Sequence, residues 1–476
     1  MTSYPPWTRK SAHPAPVIPS AGQHRGARFP LLPPSGGTPP AYPATEALPP
    51  PPEGYERSLH ALPAAYPRAL VESSGTLTRG SAPFGEPPAN ESKEERKARI
   101  KRARDNAVQV RADARAWDVD ENGEVEPEAL STPPQWIAAE RWRRTASTDD
   151  AEGVTLVFVH ANGFQKEHFH PMAKALLERG ADPTTAFGTT APLANPVPVP
   201  PIDDIWFIDA VHHGDSVTLN AGLLGPAVAW EDTARDVANF VKHVAPLSDR
   251  QAPEHIPWRP SAQPRRVIGI GHSFGGNALV QASAAYPQLL DALFLVEPMT
   301  IPVLVNDPGK GWPFTLGALK RRDTWPSRAA AAEANRASPL FKSWSDDVYA
   351  LWVSHSLVPV SADDPDGEVT LATPGWCEAA CFSNGESPQR GWDALAAVRV
   401  PTAFVMAGDP VWMVGEDNAN ELVWRPELAR NEVISDAGHM AVQEKPGELA
   451  DALARFLATV EAGEWTRGDE TAQARL

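Results

Sequence analysis

Apolar and polar positions along the chain fall into two repeating patterns. Short unbroken apolar runs recur at Val154–Val159, Ile205–Ile208, Val267–Ile270, Ala292–Val296 and Thr402–Ala407, each five or six residues or close to it. Runs of this length, rich in Val, Ile, Leu and Phe, predict strands buried on both faces. Between them lie stretches of helical period: Trp230–Val244, Asn277–Tyr286, Arg328–Asn335, Trp344–Ser356 and Leu449–Val460. Strand alternating with helix predicts an α/β fold with a mostly parallel sheet flanked by helices. The stretch of about 300–392 interrupts this alternation before the Thr402 strand, and its own elements are helical. It is expected to form a helical cap over the C-terminal ends of the strands.

One strand ends in chemistry. Val267-Ile268-Gly269-Ile270 runs directly into Gly271-His272-Ser273-Phe274-Gly275-Gly276, and a helix follows. Strand, G-x-S-x-G and helix together make a nucleophile elbow. The turn is so sharp that side chains two residues on either side of the serine would collide, and Gly271 and Gly275 remove them. Ser273 is then held in a strained backbone conformation with its hydroxyl off the sheet, facing a helix N-terminus that favours developing negative charge.

A serine is a poor nucleophile without a base, an orienting acid and donors for the oxyanion. After an elbow the chain order is Ser, acid, His. His439 stands in Asp436-Ala437-Gly438-His439, after a strand and before the last helix, and is the expected base. The oxyanion donors are expected from the loop after Val154–Val159, His160-Ala161-Asn162-Gly163-Phe164, through the N–H of Asn162, with the N–H of Phe274 as the second. The acid has two main candidates. Glu297 ends the strand Ala292–Val296, where a carboxylate directly after a buried apolar run is costly to leave unpaired. Asp409 follows Gly408 at the end of the Thr402 strand, and Asp436 is a third option. Glu297 is the first choice and Asp409 the alternative.

These residues carry a resemblance. The blocks His160-Ala161-Asn162-Gly163-Phe164, Asp209-Ala210-Val211-His212-His213-Gly214-Asp215-Ser216, the elbow, Val296-Glu297-Pro298, Arg322-Asp323-Thr324-Trp325-Pro326-Ser327-Arg328 and Gly438-His439 span about residues 105–462. The chain resembles the α/β-hydrolases, and more narrowly the fungal members associated with host-selective toxin biosynthesis, a group related to the yeast peroxisomal lipase. Many members of the superfamily carry an aspartate three residues after the glycine that closes the penultimate strand. Here that position is Val411, which cannot orient an imidazole, and some members supply the acid one strand earlier, where Glu297 stands. The resemblance implies an α/β-hydrolase fold and a serine hydrolase acting on a small apolar ester or thioester. Acyltransfer or other biosynthetic chemistry on the same fold, or a catalytically silent binding protein, are the alternatives.

Composition adds an appendage. The first 90 residues hold 20 of the 51 prolines and little periodicity, so residues 1–104 are expected to be a disordered proline-rich tail followed by the charged linker Lys93–Arg104. The core is expected at 105–299 and 393–476, with the cap at 300–392. Residues 1–104 carry 14 basic and 8 acidic groups against a whole-chain charge of −17, which leaves about −23 on the remainder. So acidic a body argues against nucleic acid as a substrate. It leaves room for CoA esters met locally by Arg321, Arg322 and Arg328. His212 and His213 have no third ligand at a useful spacing, so no metal is expected, and no cofactor either. Cap aromatics (Trp312, Phe314, Trp325, Phe341, Trp344, Trp352) are expected to form chiefly the cap's own core. Cys377 and Cys381, the two cysteines, fit a reducing compartment. No apolar run of about 18 residues predicts a membrane span. Ala474-Arg475-Leu476 resembles a variant of the Ser-Lys-Leu address, so the peroxisomal import receptor is an expected partner and the peroxisomal matrix the expected location, with the cytoplasm as the alternative.

Overall fold

The computed structural model describes residues 31, 38–43, 48–73, 75, 92–117, 124–145, 153–179, 183–189, 192–194, 198–243, 266–302, 312–408 and 416–465. Asp409, Val411 and the tripeptide Ala474-Arg475-Leu476 lie outside them, as does most of the proline-rich stretch.

Eight strands form one sheet: β1 (Tyr55–Pro63), β2 (Trp136–Arg144), β3 (Val154–Val159), β4 (Ile202–Ile208), β5 (Arg266–His272), β6 (Ala292–Val296), β7 (Thr402–Ala407) and β8 (Ala429–Ile434). Their order is β1-β2-β4-β3-β5-β6-β7-β8. Strands β3 to β8 are parallel, and β2 runs antiparallel to both β1 and β4. Alternate residues of each strand feed opposite cores. Val157 and Val159 pack on one side with the helices Trp230–His243 and Phe274–Ala285. Leu156 and Phe158 pack on the other with His170–Arg179 and Pro446–Glu461. Each fully buried side chain of this size contributes roughly 1.5–3 kcal/mol, so the apolar runs are what specify the sheet.

The expectation of a disordered tail over 1–104 fails at β1 and just beyond it. Tyr55–Pro63 pairs along its whole length with β2. The segment after it is fastened to the helix Trp230–His243: Ala65 N donates to Asp236 (2.7 Å), Ala69 N to Asp232 (2.9 Å), and Arg68 pairs with Asp236 at 2.6 Å. Prolines flank this strand without interrupting it, and its partner donors come from β2, so the local proline content misleads. Lys93–Asp113 is a solvated helix with a capping box, Ser92 with Glu95.

The cap also departs from expectation. Besides the helices Trp312–Lys320, Arg328–Arg336 and Asp346–His355, it contains a three-stranded antiparallel sheet of Thr324–Trp325, Val369–Leu371 and Leu357–Pro359. Strands of two or three residues are too short to show a period in sequence. The core also resumes before 393. Trp376 and Cys377, from the helix Gly375–Phe382, and Trp392 and Leu395, from Ser387–Leu395, belong to the main core. Trp325, Phe341, Trp344 and Trp352 pack together against Ala161 and Phe164, whereas Phe314 is exposed and the side chain of Trp312 lies outside the described set. Cys377 and Cys381 are buried free thiols. Among the described residues no helix is long and apolar enough to cross a membrane.

Candidate active site

Ser273 sits between β5 and the helix Phe274–Ala285 with φ 53° and ψ −115°. The glycines beside it make this turn feasible. A Cβ on Gly275 would lie 2.1 Å from the Val159 carbonyl oxygen, and one on Gly271 would lie 2.7 Å from Gly276 Cα. Ser273 N donates to Val296 O (3.0 Å), and Met299 N donates to Ser273 O (2.9 Å), which ties the turn to the end of β6.

The structure brings three sequence-predicted residues into one hydrogen-bonded line. Ser273 Oγ lies 3.0 Å from His439 Nε2, and His439 Nδ1 lies 3.1 Å from Glu297 Oε2. All three are buried, with Glu297 at 1% exposure. The other oxygen of Glu297, Oε1, accepts from Ala407 N at the end of β7 (2.7 Å). Asp436 is turned elsewhere, pairing with Lys445 at 2.5 Å. The loop carrying His439 is held by Glu444, whose Oε2 accepts from Gly438 N (2.7 Å) and whose Oε1 accepts from Ser343 of the cap (2.8 Å). His272 Nε2 donates to the His439 carbonyl at 2.8 Å.

Phe274 follows the serine directly, and Asn162 lies in the loop after β3, whose Val159 and His160 carbonyls approach Gly275. Phe274 opens its helix, so its N–H has no acceptor within that helix. The loop of Asn162 is braced on both sides. Asn162 Nδ2 donates to Glu378 O (3.1 Å), and His213 Nε2 lies 2.9 Å from Asn162 Oδ1 and 3.1 Å from Gly163 N. His213 Nδ1 is buried without a partner. Burial holds His213 well below its ordinary value, so it stays neutral. The same ring stacks on Phe274 at 5.9 Å.

Sequence reasoning missed the floor of this loop. Lys166 Nζ, fully buried, reaches Asp209 (3.0 Å), Asp215 (2.6 Å) and Glu167 (2.5 Å), while Lys166 N donates to Asp209 Oδ1 (2.9 Å). His160 Nε2 accepts from Ala210 N (3.0 Å), and burial lowers its pKa to about 4. The clustering of Lys166, Asp209 and Asp215 is invisible along the chain, because they join only when β3 and β4 pair. Of the arginines expected near a CoA ester, Arg328 is occupied by the carbonyls of Val353, Ser354 and Leu357. Arg322 donates to Thr324 O and lies over Trp325. Arg321 pairs with Glu378.

Parallel strands with helices on both faces, and a serine at a strand-to-helix turn within reach of a histidine and a buried carboxylate, define a hydrolase-type architecture. The chain belongs to the Alpha/beta hydrolase family, whose profile matches residues 156–452. It is similar to the type I acyl-CoA thioesterase mpaH of Penicillium roqueforti (strain FM164), 29% identical over 199 residues, which are 41% of this chain and 37% of that protein. The chain thus spans well under two thirds of that relative's length. It is also similar to the abhydrolase domain-containing protein AFT2-1 of Alternaria alternata, 26% identical over 235 residues, 42% of this chain and 86% of that one. Among solved structures, the peroxisomal alpha-beta-hydrolase Lpx1 from Saccharomyces cerevisiae matches with a TM-score of 0.58 at 17% identity, covering 89% of this chain and 92% of that one. That likeness shows the shared fold.

Proposed function

We propose that the protein is a serine hydrolase that cleaves a carboxylic ester or acyl thioester through an acyl-enzyme. The observation that carries this reading is the continuous hydrogen-bonded line from Glu297 through His439 to Ser273. In this mechanism His439 Nε2 takes the proton of Ser273 Oγ as the oxygen attacks the carbonyl carbon. Glu297 holds the imidazole with its other proton on Nδ1 and stabilises the imidazolium that forms. The N–H groups of Asn162 and Phe274 receive the oxyanion, each contributing about 3 kcal/mol. The imidazolium then protonates the departing alkoxide or thiolate. Water, deprotonated by the same histidine, attacks the acyl-enzyme and releases the acid. The thioesterase name of the Penicillium relative supports a thioester as readily as an oxygen ester. A peroxisomal location, stated for the yeast relative by its name, is part of the proposal for this chain.

Fluorophosphonate labelling tests the reading. Wild-type protein should be labelled, and Ser273→Ala should not. Labelling of both to the same extent, or hydrolysis of any ester unchanged in Ser273→Ala, would sink it.

A further inference from the structure

One residue of the proline-rich N-terminal stretch reaches the floor of the Asn162 loop. Tyr42, in the described segment 38–43, packs its half-buried ring against Ala61, Trp136, Ala138 and Leu219. Its hydroxyl donates to Asp215 Oδ2 at 3.0 Å. The same oxygen receives Lys166 Nζ at 2.6 Å, and that ammonium also reaches Asp209 at 3.0 Å and Glu167 at 2.5 Å. Burial holds the Tyr42 phenol well above its ordinary value, so it stays a proton donor.

Asp209 is the joint between two loops. Its Oδ1 accepts from Lys166 N (2.9 Å), in the loop after β3, and its Oδ2 from Asp215 N (3.0 Å), in the turn after β4. The two loops meet again where His213 Nε2 lies 2.9 Å from Asn162 Oδ1 and 3.1 Å from Gly163 N. Gly214 stands between these two contacts, and a Cβ there would lie 2.4 Å from Asp209 Oδ2, so they form one tightly packed brace.

Charge makes the tyrosine matter. Among the described residues the cluster sets one ammonium against three carboxylates. Lys166 and Asp209 are sealed at 1% and 0% exposure, whereas the Asp215 side chain is 17% exposed and is the member with a way out to water. Like charges this close repel, and a half-buried carboxylate that loses a donor gains by solvating instead. The O–H of Tyr42 opposes that escape. Were Asp215 to turn outward, its N–H, two residues after His213, would lose its fixed place on Asp209.

We infer that Tyr42 is a positioning residue for the oxyanion loop: its hydroxyl holds Asp215 on Lys166 and, through the Asp209 brace, fixes His213 against Asn162. This rests on the hydrolase reading above, and it makes the segment 38–43 part of the catalytic body.

The test removes one oxygen atom from the full-length protein. Tyr42→Phe keeps the packing ring. With p-nitrophenyl butyrate, kcat should fall tenfold or more while KM stays within about twofold, because the loop acts on the oxyanion and not on the bound ester. Amide hydrogen exchange of peptides covering 160–166 and 209–216 should quicken tenfold or more, with the helix Phe274–Ala285 unchanged. Asp215→Asn should reproduce both effects, and adding Tyr42→Phe to it should change neither by more than about twofold, since the hydroxyl acts through that carboxylate. A Tyr42→Phe protein with kcat within twofold of wild type, or with unaltered exchange in both loops, would overturn the inference. Faster exchange throughout the protein would also overturn it, since that marks a general loosening. Ser273-dependent hydrolysis by wild type leaves the hydrolase reading standing in each of these cases. If wild type takes the fluorophosphonate without cleaving this ester, the labelling rate replaces kcat. If it does neither, that reading falls, and exchange alone decides whether Tyr42 fastens the two loops.

Discussion

Replacing Glu297 with glutamine puts the proposed acid to a sharp test, because the structure dictates which way the amide must face. Glu297 Oε1 accepts from Ala407 N at 2.7 Å, and Oε2 accepts from His439 Nδ1 at 3.1 Å. An amide has one acceptor for two donors. With its oxygen toward Ala407, the NH2 faces His439 and forces the imidazole into the other tautomer, with Nε2–H directed at Ser273. That ring cannot take the serine proton. With the amide reversed, NH2 meets the Ala407 N–H at a site 1% exposed, leaving two buried donors unpaired at about 1–3 kcal/mol each. The first orientation therefore wins, and the wrong tautomer lowers the acylation rate by about 10⁴-fold, close to 5.5 kcal/mol. The fold should be nearly undisturbed, since shape and one hydrogen bond survive. The assay is the second-order rate of fluorophosphonate labelling, read beside a thermal melt. A Glu297→Gln protein that melts normally and is labelled within tenfold of the wild-type rate would refute the assignment. Asp409→Asn would then be expected to show the large loss.

Two further outcomes follow from the packing. Burial lowers the pKa of His168 and His272 to about 3 and of His60, His160 and His212 to about 4. These rings fold neutral, so the stability they contribute is complete above the unfolded value near 6.5 and is lost as pH falls toward 4. His213, also held neutral by burial, acts in the same direction, while burial raises Asp209 and works against it, so denaturant melts should show stability lower by several kcal/mol at pH 5.5 than at 7.5. A flat profile to within 1 kcal/mol would contradict it. Gly275→Ala drives a Cβ to 2.1 Å from the Val159 oxygen, backbone against backbone, and should cost roughly 3 kcal/mol together with Ser273 labelling. An unchanged melting temperature would show that the elbow has slack.

How much of this was legible depended on whether the partners were near in sequence or set by a period. Ser273 was readable because a strand, two glycines and a helix must be consecutive to make the turn. Glu297 was readable because a carboxylate closing Ala292–Val296 has nowhere to solvate. β1 was not, because Tyr55–Pro63 lies among prolines and its partner strand begins at Trp136. The Lys166–Asp209–Asp215 cluster and the Arg321–Glu378 pair join residues 43 to 57 positions apart. No local pattern encodes them, since each forms only once the sheet and cap have chosen their neighbours.

The backbone itself marks the site independently of the side-chain geometry. Among the described residues the non-glycine positions with positive φ are Ser273, at 53°, and Glu297, at 45°. Each such conformation costs on the order of 1–3 kcal/mol and persists only where its surroundings over-determine it. Here the surroundings are the ends of three neighbouring strands. Ser273 N bonds to Val296 O, Glu297 N to Val405 O at 3.0 Å, and Glu297 Oε1 to Ala407 N. The side chain of Glu297 thus reaches from the end of β6 to the end of β7. There it meets the imidazole arriving from the loop after β8, so an acid carried one strand early still serves a histidine carried two strands later. A sheet needs neither strained residue to close its core, and glycine at either position would relieve the strain. Under the proposed hydrolase reading the strain is explained by the use of these two side chains, and among the described residues both approach His439.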